Sequence, residues 1–264
     1  MSRKALEKTI SEFLAEDPGN LIPGTDIRMF GDPLVGVAAA DDAVFKDLSR
    51  AVRSDHRLPS EWLEGARSVV SYFLPFTEPV RESNRQGENP SEEWIYGRFY
   101  GALLLERLGA VLSERMNAAG HRTVVPPREP AYNVTDMNSN WSERHVAYAA
   151  GLGTFGLSSA ILTERGTAGR FGSLVTAQEL EPTPRLYYSH REHCSHFSRA
   201  SCGACIERCP SGALSPEGKD RDKCSHHLKH ANGPAVRARY GFPYSPCGKC
   251  NVDVPCEERR PPRG

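Results

Sequence analysis

Cysteine is absent from the first 193 residues of this 264-residue chain, and all eight cysteines fall between Cys194 and Cys256. Seven of them form one pattern: Cys202-x2-Cys205-x3-Cys209-Pro210, then Cys224, then Cys247-x2-Cys250-x5-Cys256. Thiols crowded into so short a stretch either pair as disulfides or bind metal. The chain opens on Met1-Ser-Arg-Lys-Ala and an amphipathic segment with no apolar signal core. Secretion is therefore not expected, the cytoplasm is the expected compartment, and metal ligation is favoured over disulfides. Eight thiolates suffice for two 4Fe–4S clusters, and a cysteine directly before proline is the one that crosses to the other cluster in bacterial two-cluster ferredoxins. By that logic Cys194, Cys202, Cys205 and Cys256 serve one cluster, and Cys209, Cys224, Cys247 and Cys250 the other. A tight Cys-x2-Cys-x3-Cys loop also turns backbone amides toward the sulfurs. Cys194 lies further upstream of Cys202 than ferredoxin spacing calls for, so His193 or His196 is the alternative fourth ligand. The rival reading is a pair of zinc sites, since Cys-x2-Cys pairs suit tetrahedral zinc. The cysteine before proline and the full set of eight favour iron–sulfur.

The length allows one large domain or two unequal ones. The cysteine boundary divides it into a body, residues 1–185, and a cluster module, residues 186–264. No apolar run approaches the roughly 18 residues of a membrane span. Net charge is zero, but residues 186–264 carry 13 Lys and Arg against 8 Asp and Glu. This basic excess offsets anionic clusters, or serves to dock an acidic electron donor or a nucleic acid. It is small and dispersed, which favours the first reading.

The body alternates helical and extended segments, which predicts an α/β or α+β layer structure. Apolar residues at helical spacing mark a helix over Ala5–Leu14. Leu34-Val-Gly-Val-Ala-Ala suits a buried strand, and Asp41 or Asp42 can cap a helix running to about Arg53. Residues 66–76 form the best strand candidate, β-branched and aromatic. Residues 81–93 read as an exposed polar loop. A long helix is expected from Glu92 to Ala119, stopped by Gly120, then a strand over His121–Val125. Asn140 or Ser142 can cap a helix to Ala150–Gly151. Strands near Ser159–Thr163 and Arg170–Ala177 follow, joined by a turn at Gly166.

Four segments taken in order resemble the epoxyqueuosine reductase family, which is related to the reductive dehalogenases. They are Val35-Gly-Val-Ala, Ala66-Arg-Ser-Val-Val-Ser-Tyr-Phe-Leu-Pro, Trp94-Ile-Tyr-Gly-Arg-Phe-Tyr and Ala149-Ala-Gly-Leu-Gly-Thr-Phe-Gly-Leu, followed by the cysteines. The glycine segment and the cysteine pattern are the specific parts. The resemblance implies a cobalamin-binding domain of nitroreductase-like fold, then a ferredoxin-like domain whose two 4Fe–4S clusters pass electrons to cobalt. It implies cobalamin contacts at Tyr96, Arg98, Tyr100, Gly151, Gly153, Phe155, Gly156 and Ser158. Glycines there let backbone approach a large flat ligand, although a glycine-ended helix and a turn account for the same text. Asp136 lies near the family's proton-donating aspartate once one residue is inserted. Desolvation beside a buried cofactor would raise its pKa, as a proton donor near neutral pH requires. An Asx turn or helix cap is its plain alternative, as packing is for Tyr96 and Tyr100.

The chain departs from the family in three places. It ends eight residues after Cys256, without the helical-repeat extension of many members. Its second cysteine group is more widely spaced, and Asn138-Ser-Asn-Trp141 replaces the family's usual text. A neutral chain is also poorly suited to tRNA, so tRNA is not the expected substrate. The expected function is a corrinoid-dependent reductase acting on a small substrate, with ferredoxin or flavodoxin as donor. One alternative is an electron-transfer protein that reactivates a partner's corrinoid, and another is an FMN enzyme on the same fold.

Overall fold

The computed structural model describes residues 1–135 and 138–262. Its centre is a four-stranded antiparallel sheet of β1 (Leu34–Ala39), β2 (Ser68–Pro75), β3 (Thr123–Val124) and β8 (Gly169–Thr176), in the order β1-β2-β8-β3. Helix α1 (Arg3–Glu16) leads in, with Ser2 accepting from Ala5 N at its N-terminus. Strand β1 (Leu34–Ala39) is followed by α2 (Ala43–Ala51), which Asp42 caps through Val44 N. After α3 (Pro59–Trp62), β2 (Ser68–Pro75) runs buried along its whole length. A strand covered on both faces must be apolar on both, which is why this segment shows no alternation.

Helix α4 (Glu78–Ser83) and the long α5 (Glu92–Ala118) come next. The polar stretch 81–93 is thus partly helical, and Asn84 within it is fully buried. The Asn84 amide bridges Ser91 N and the Cys247 carbonyl at 3.0 Å each, a tertiary role that polar composition does not reveal. Strand β3 (Thr123–Val124) closes the sheet against β8 through Thr123↔Thr176. The pair β4 (Val134–Thr135) and β5 (Asn138–Ser139) precedes α6 (Glu143–Ala149). Strand β6 (Gly153–Phe155) then pairs with β7 (Ile161–Thr163), and β8 (Gly169–Thr176) pairs with β2. The expected turn at Gly166 is present with φ +75°, but β7 and β8 lie in different sheets.

One face of the sheet packs Val37, Val70 and Leu74 beneath α1 and α5 (Leu6, Ile10, Leu104, Leu108). The other packs Ala38, Val69 and Val175 beneath α2, α3 and α6. Trp141, fully buried, anchors this second layer. It stacks on Phe45 and His56, meets Trp62 edge-on, and donates Nε1–H to Ser173 Oγ at 2.8 Å. His56 accepts from Ser142 N through Nε2 while Nδ1 meets the Arg57 carbonyl. That assigns the neutral Nδ1–H tautomer, in keeping with burial, which lowers its pKa.

The cysteine region comprises α7 (Ser195–Arg199), α8 (Ala204–Glu207), the β9–β10 hairpin (Leu214–Ser215, Gly218–Lys219), α9 (Arg221–His226) and α10 (Gly233–Tyr240). It is held to the start of α5 and the segment before it. Trp94 Nε1 donates to the Pro246 carbonyl at 2.8 Å, and buried Lys249 Nζ donates to the Asn84 carbonyl at 2.8 Å and the Gln86 carbonyl at 2.6 Å. Gly248 sits at φ +70° directly against the Trp94 ring, leaving no room for a Cβ.

Candidate functional site

All eight thiols are free, and the fold gathers them around two cavities. Cys194, Cys202, Cys205 and Cys256 line one of about 30 Å³, with Ser158, Leu162 and Pro255. Cys209, Cys224, Cys247 and Cys250 line another of about 280 Å³, with Trp94, Arg98, Arg170 and Tyr244. Burial pushes Cys205 up to about 12, with Cys250 of the other set its next largest influence, then Cys194 and Cys202. Cys256 also rises to about 12 by burial and the neighbouring thiols, and Cys247 to about 11. In these sulfurs burial and the neighbouring thiols disfavour the anion more than a backbone N–H favours it, a balance that a bound cation or cluster would reverse. Cys209 is the exception. Burial raises it, but the Ser211 hydroxyl and backbone N–H groups of Ala213, Ser211 and Leu214 bring it below its ordinary value. Among the described residues no group of three or more His, Cys, Asp or Glu converges as a site for a metal ion.

Local structure explains how each set is delivered. Cys202-x2-Cys205 wraps into the start of α8, and Cys209 follows its end. Cys224 sits within α9. Cys256 is carried by a tail segment whose next residue, Glu257, is buried between Arg81 and Arg85.

A third and larger cavity, about 1180 Å³, opens between α6, the β6 turn and the β10–α9 segment. Its wall includes Arg144, His145, Tyr148, Phe155 and Gly156 from the body and Lys219, Arg221 and Cys224 from the cysteine region. Cys224 lines both this cavity and the second cysteine cavity. The volume exceeds the roughly 300–1,000 Å³ of ordinary small-molecule pockets. His145 packs against Phe155 with ring centroids 4.7 Å apart and the rings tilted by 44°. Burial, then the Arg144 charge, push its pKa down to about 3, so the ring is neutral. Arg144 donates Nη1–H to the Ser159 carbonyl at 2.6 Å.

The residues expected to touch a cofactor separate into several groups. Phe155 and Gly156 line the large cavity, while Ser158 lines the first cysteine cavity and Arg98 the second. Tyr96 and Tyr100 pack on each other at 5.4 Å and against Tyr240 and Phe242. The glycines answer to the protein itself. A Cβ on Gly153 would lie 2.2 Å from the Leu162 carbonyl oxygen, and one on Gly156 would lie 2.5 Å from Leu162 Cδ1. Gly151 has φ +79° just beyond α6. Pairing with β7 alone leaves no room for a side chain at Gly153, and the Leu162 side chain leaves none at Gly156, which also lines the large cavity. Asp136 lies outside the described residues. Arg144, His145, Lys219 and Arg221 were not singled out from sequence. No spacing rule joins them, and only the fold brings α6 beside β10 and α9.

No protein-family model matches the chain. It is 27% identical over 222 residues to an epoxyqueuosine reductase of Francisella cf. novicida, covering 77% of this chain and 56% of that protein. It is 26% identical over 211 residues to the epoxyqueuosine reductase of Bacillus anthracis, covering 75% and 50%. Its homologues are epoxyqueuosine reductases. The chain spans about half the length of these relatives. The solved epoxyqueuosine reductase of Streptococcus thermophilus superposes with a TM-score of 0.57 at 16% identity, over 99% of this chain and 68% of that one. A structure of epoxyqueuosine reductase with an epoxyqueuosine-modified tRNA-Tyr stem loop gives 0.52 at 18% identity, over 96% and 66%. Epoxyqueuosine reductases thus share this chain's fold, a mixed arrangement of helices and strands. Among the described residues no helix is long and apolar enough to cross a membrane.

Proposed function

We propose that the chain is an iron–sulfur, corrinoid-dependent reductase of the epoxyqueuosine reductase kind, working in the cytoplasm on a small substrate. In this reading residues 1–185 form a nitroreductase-like cofactor domain, and residues 186–264 form a ferredoxin-like module with two 4Fe–4S clusters. The observation that carries it is the division of eight thiols into two fours, with Cys224 on the wall shared with the large cavity. The donor set fits, since each cubane takes four thiolates. When bound, the clusters would carry single electrons and the corrinoid would supply low-valent cobalt for the reduction.

The chain's own residues would do the rest. The apolar faces of Phe155 and Tyr148 would cover a flat ligand, and neutral His145 would offer a ring nitrogen without charge. Cys250 lies close enough to Cys205 to influence it, so the two clusters would be neighbours. Asp136 would hold the proton delivered to the substrate. Ferredoxin or flavodoxin is the fitting donor for so small a carrier module.

The test is an EPR titration of anaerobically purified, cluster-reconstituted protein with cob(II)alamin. A base-off cobalt signal saturating at one per chain is the expected result. Free-cobalamin spectra beside intact cluster signals would overturn the corrinoid reading and leave the electron-carrier or FMN alternative.

A further inference from the structure

The large cavity is lined by five cationic side chains, Arg50, Arg144, Arg191, Lys219 and Arg221, against two carboxylates, Asp47 and Asp222. Arg50 at its rim is paired with Asp47 at 3.1 Å, and Arg191 lies over the Phe197 ring at 4.2 Å. Asp222, the other acid on the wall, is in no ion pair among the described residues. Arg144, Lys219 and Arg221 likewise have no ion-pair partner among them. The Arg144 fork spends one N–H on the Ser159 carbonyl, and Arg221 meets the neutral Asn138 side chain. Arg144 sits below its ordinary pKa first through burial and then through the nearby Arg221. Two guanidinium groups that repel each other across a cavity wall, one of them desolvated, form an arrangement that an oxyanion between them would stabilise.

We propose that Arg144 and Arg221, flanked by Lys219, form an oxyanion subsite in the large cavity that takes the carboxylate or phosphate group of the substrate. The two arginines come from different parts of the fold, α6 and the start of α9. An anion bound there would therefore also tie the cysteine region to the body. Guanidinium forks fit the planar or tetrahedral oxygens of these groups in a bidentate way that an ammonium cannot. The inference rests on the cavity being the reaction chamber, but the binding itself needs neither corrinoid nor turnover.

The experiment is calorimetric titration of inorganic phosphate into cluster-loaded, corrinoid-free protein at constant ionic strength. Cluster content is measured separately by absorbance, so cluster failure and anion-site failure are told apart. Saturable one-to-one binding is expected, weakened about tenfold or more in Arg144→Gln and in Arg221→Gln. It should be unchanged in Lys8→Gln, a change at an exposed position of α1. Arg221 is exposed, so its variant keeps the test valid should Arg144→Gln fail to fold. Absence of phosphate binding, or binding that ignores both substitutions, overturns the subsite. Repeating the titration with cobalamin bound separates the sources. Retained phosphate binding supports a substrate group, and stoichiometric loss would mean that the corrinoid's own phosphodiester fills the site, which overturns the assignment to substrate.

Discussion

A buried carboxyl group sets the pH response expected at the level of single residues. Among the described residues neither oxygen of Glu143 has a hydrogen-bond partner, and burial raises its pKa from 4.5 to about 7. The Ser173 hydroxyl and the Arg170 guanidinium pull the other way without reaching hydrogen-bonding geometry. The folded state therefore holds a proton that the unfolded chain releases, and stability falls as pH rises from about 4.5 through about 7. A shift of this size corresponds to roughly 3 kcal/mol as an upper bound. Glu143→Gln removes the ionisation, so its stability advantage over the parent should grow between pH 5 and pH 8 by up to that amount. Urea unfolding of both proteins at the two pH values checks this, and a constant difference would mean that Glu143 finds a partner in solution. Asp136 has a different expected signature. If it is the proton donor, Asp136→Asn leaves clusters and corrinoid bound while substrate turnover falls at least a hundredfold, in line with the roughly 10²–10⁴ carried by general acids. Unchanged turnover would remove it from the chemistry.

Among the elements, the short β6–β7 hairpin shows how structural and functional readings of one sequence diverge. Gly151-Leu-Gly-Thr-Phe-Gly156 reads as a turn made for a ligand, yet half of it is strand. The hairpin also holds the connector before Cys194, since Phe155 N donates to the His190 carbonyl at 2.7 Å and His193 N to Thr154 Oγ1 at 3.0 Å. Gly153→Ala would press a methyl group onto the Leu162 backbone, which cannot rotate away. A loss of about 1–3 kcal/mol is expected, against little change for Gly31→Ala, where nothing lies within 4 Å. Chemical unfolding compares the two, and equal effects would contradict the packing argument. The long apolar periodicities were legible: β1, β2 and α5 lie where hydrophobic pattern and caps put them, α5 from Glu92 to Ala118 between Ser91 and Gly120. Helix α4 was not, because a polar segment with Val80 as its buried residue has too little periodicity to show. Of the candidate site, spacing exposed the cysteines but hid Arg144 and Arg221, whose proximity exists only after α6 and α9 are brought together.

For the molecule as a whole, the decisive joint is where the tail closes onto the body. Glu257, 5% exposed, accepts from Arg81 Nε at 3.1 Å, Arg85 Nη2 at 2.8 Å and Asp253 N at 2.7 Å. Thr167 N donates to the Cys256 carbonyl at 3.0 Å, and Gly166 lies too close to the Glu257 backbone to carry a Cβ. Burial raises the Glu257 pKa, but the hydrogen bonds from Arg85 and the Asp253 backbone outweigh it, and the net direction is downward. Its stabilisation is thus complete above pH 4.5 and is lost as pH falls through the depressed value. Glu257→Gln preserves shape but leaves Arg81, only 12% exposed, without its buried counter-charge. Breaking one side of a buried pair costs about 3–5 kcal/mol, whereas Arg260→Gln, which removes a looser surface pair with Glu164 at 3.5 Å, should stay within about 1 kcal/mol. Urea unfolding at pH 7 discriminates the two. Because Cys256 immediately precedes Glu257, the same loss should make that thiol react faster with an alkylating reagent in the metal-free protein. If Glu257→Gln unfolds like the parent and Cys256 stays protected, the tail is held by its backbone hydrogen bonds to Thr167 and not by charge.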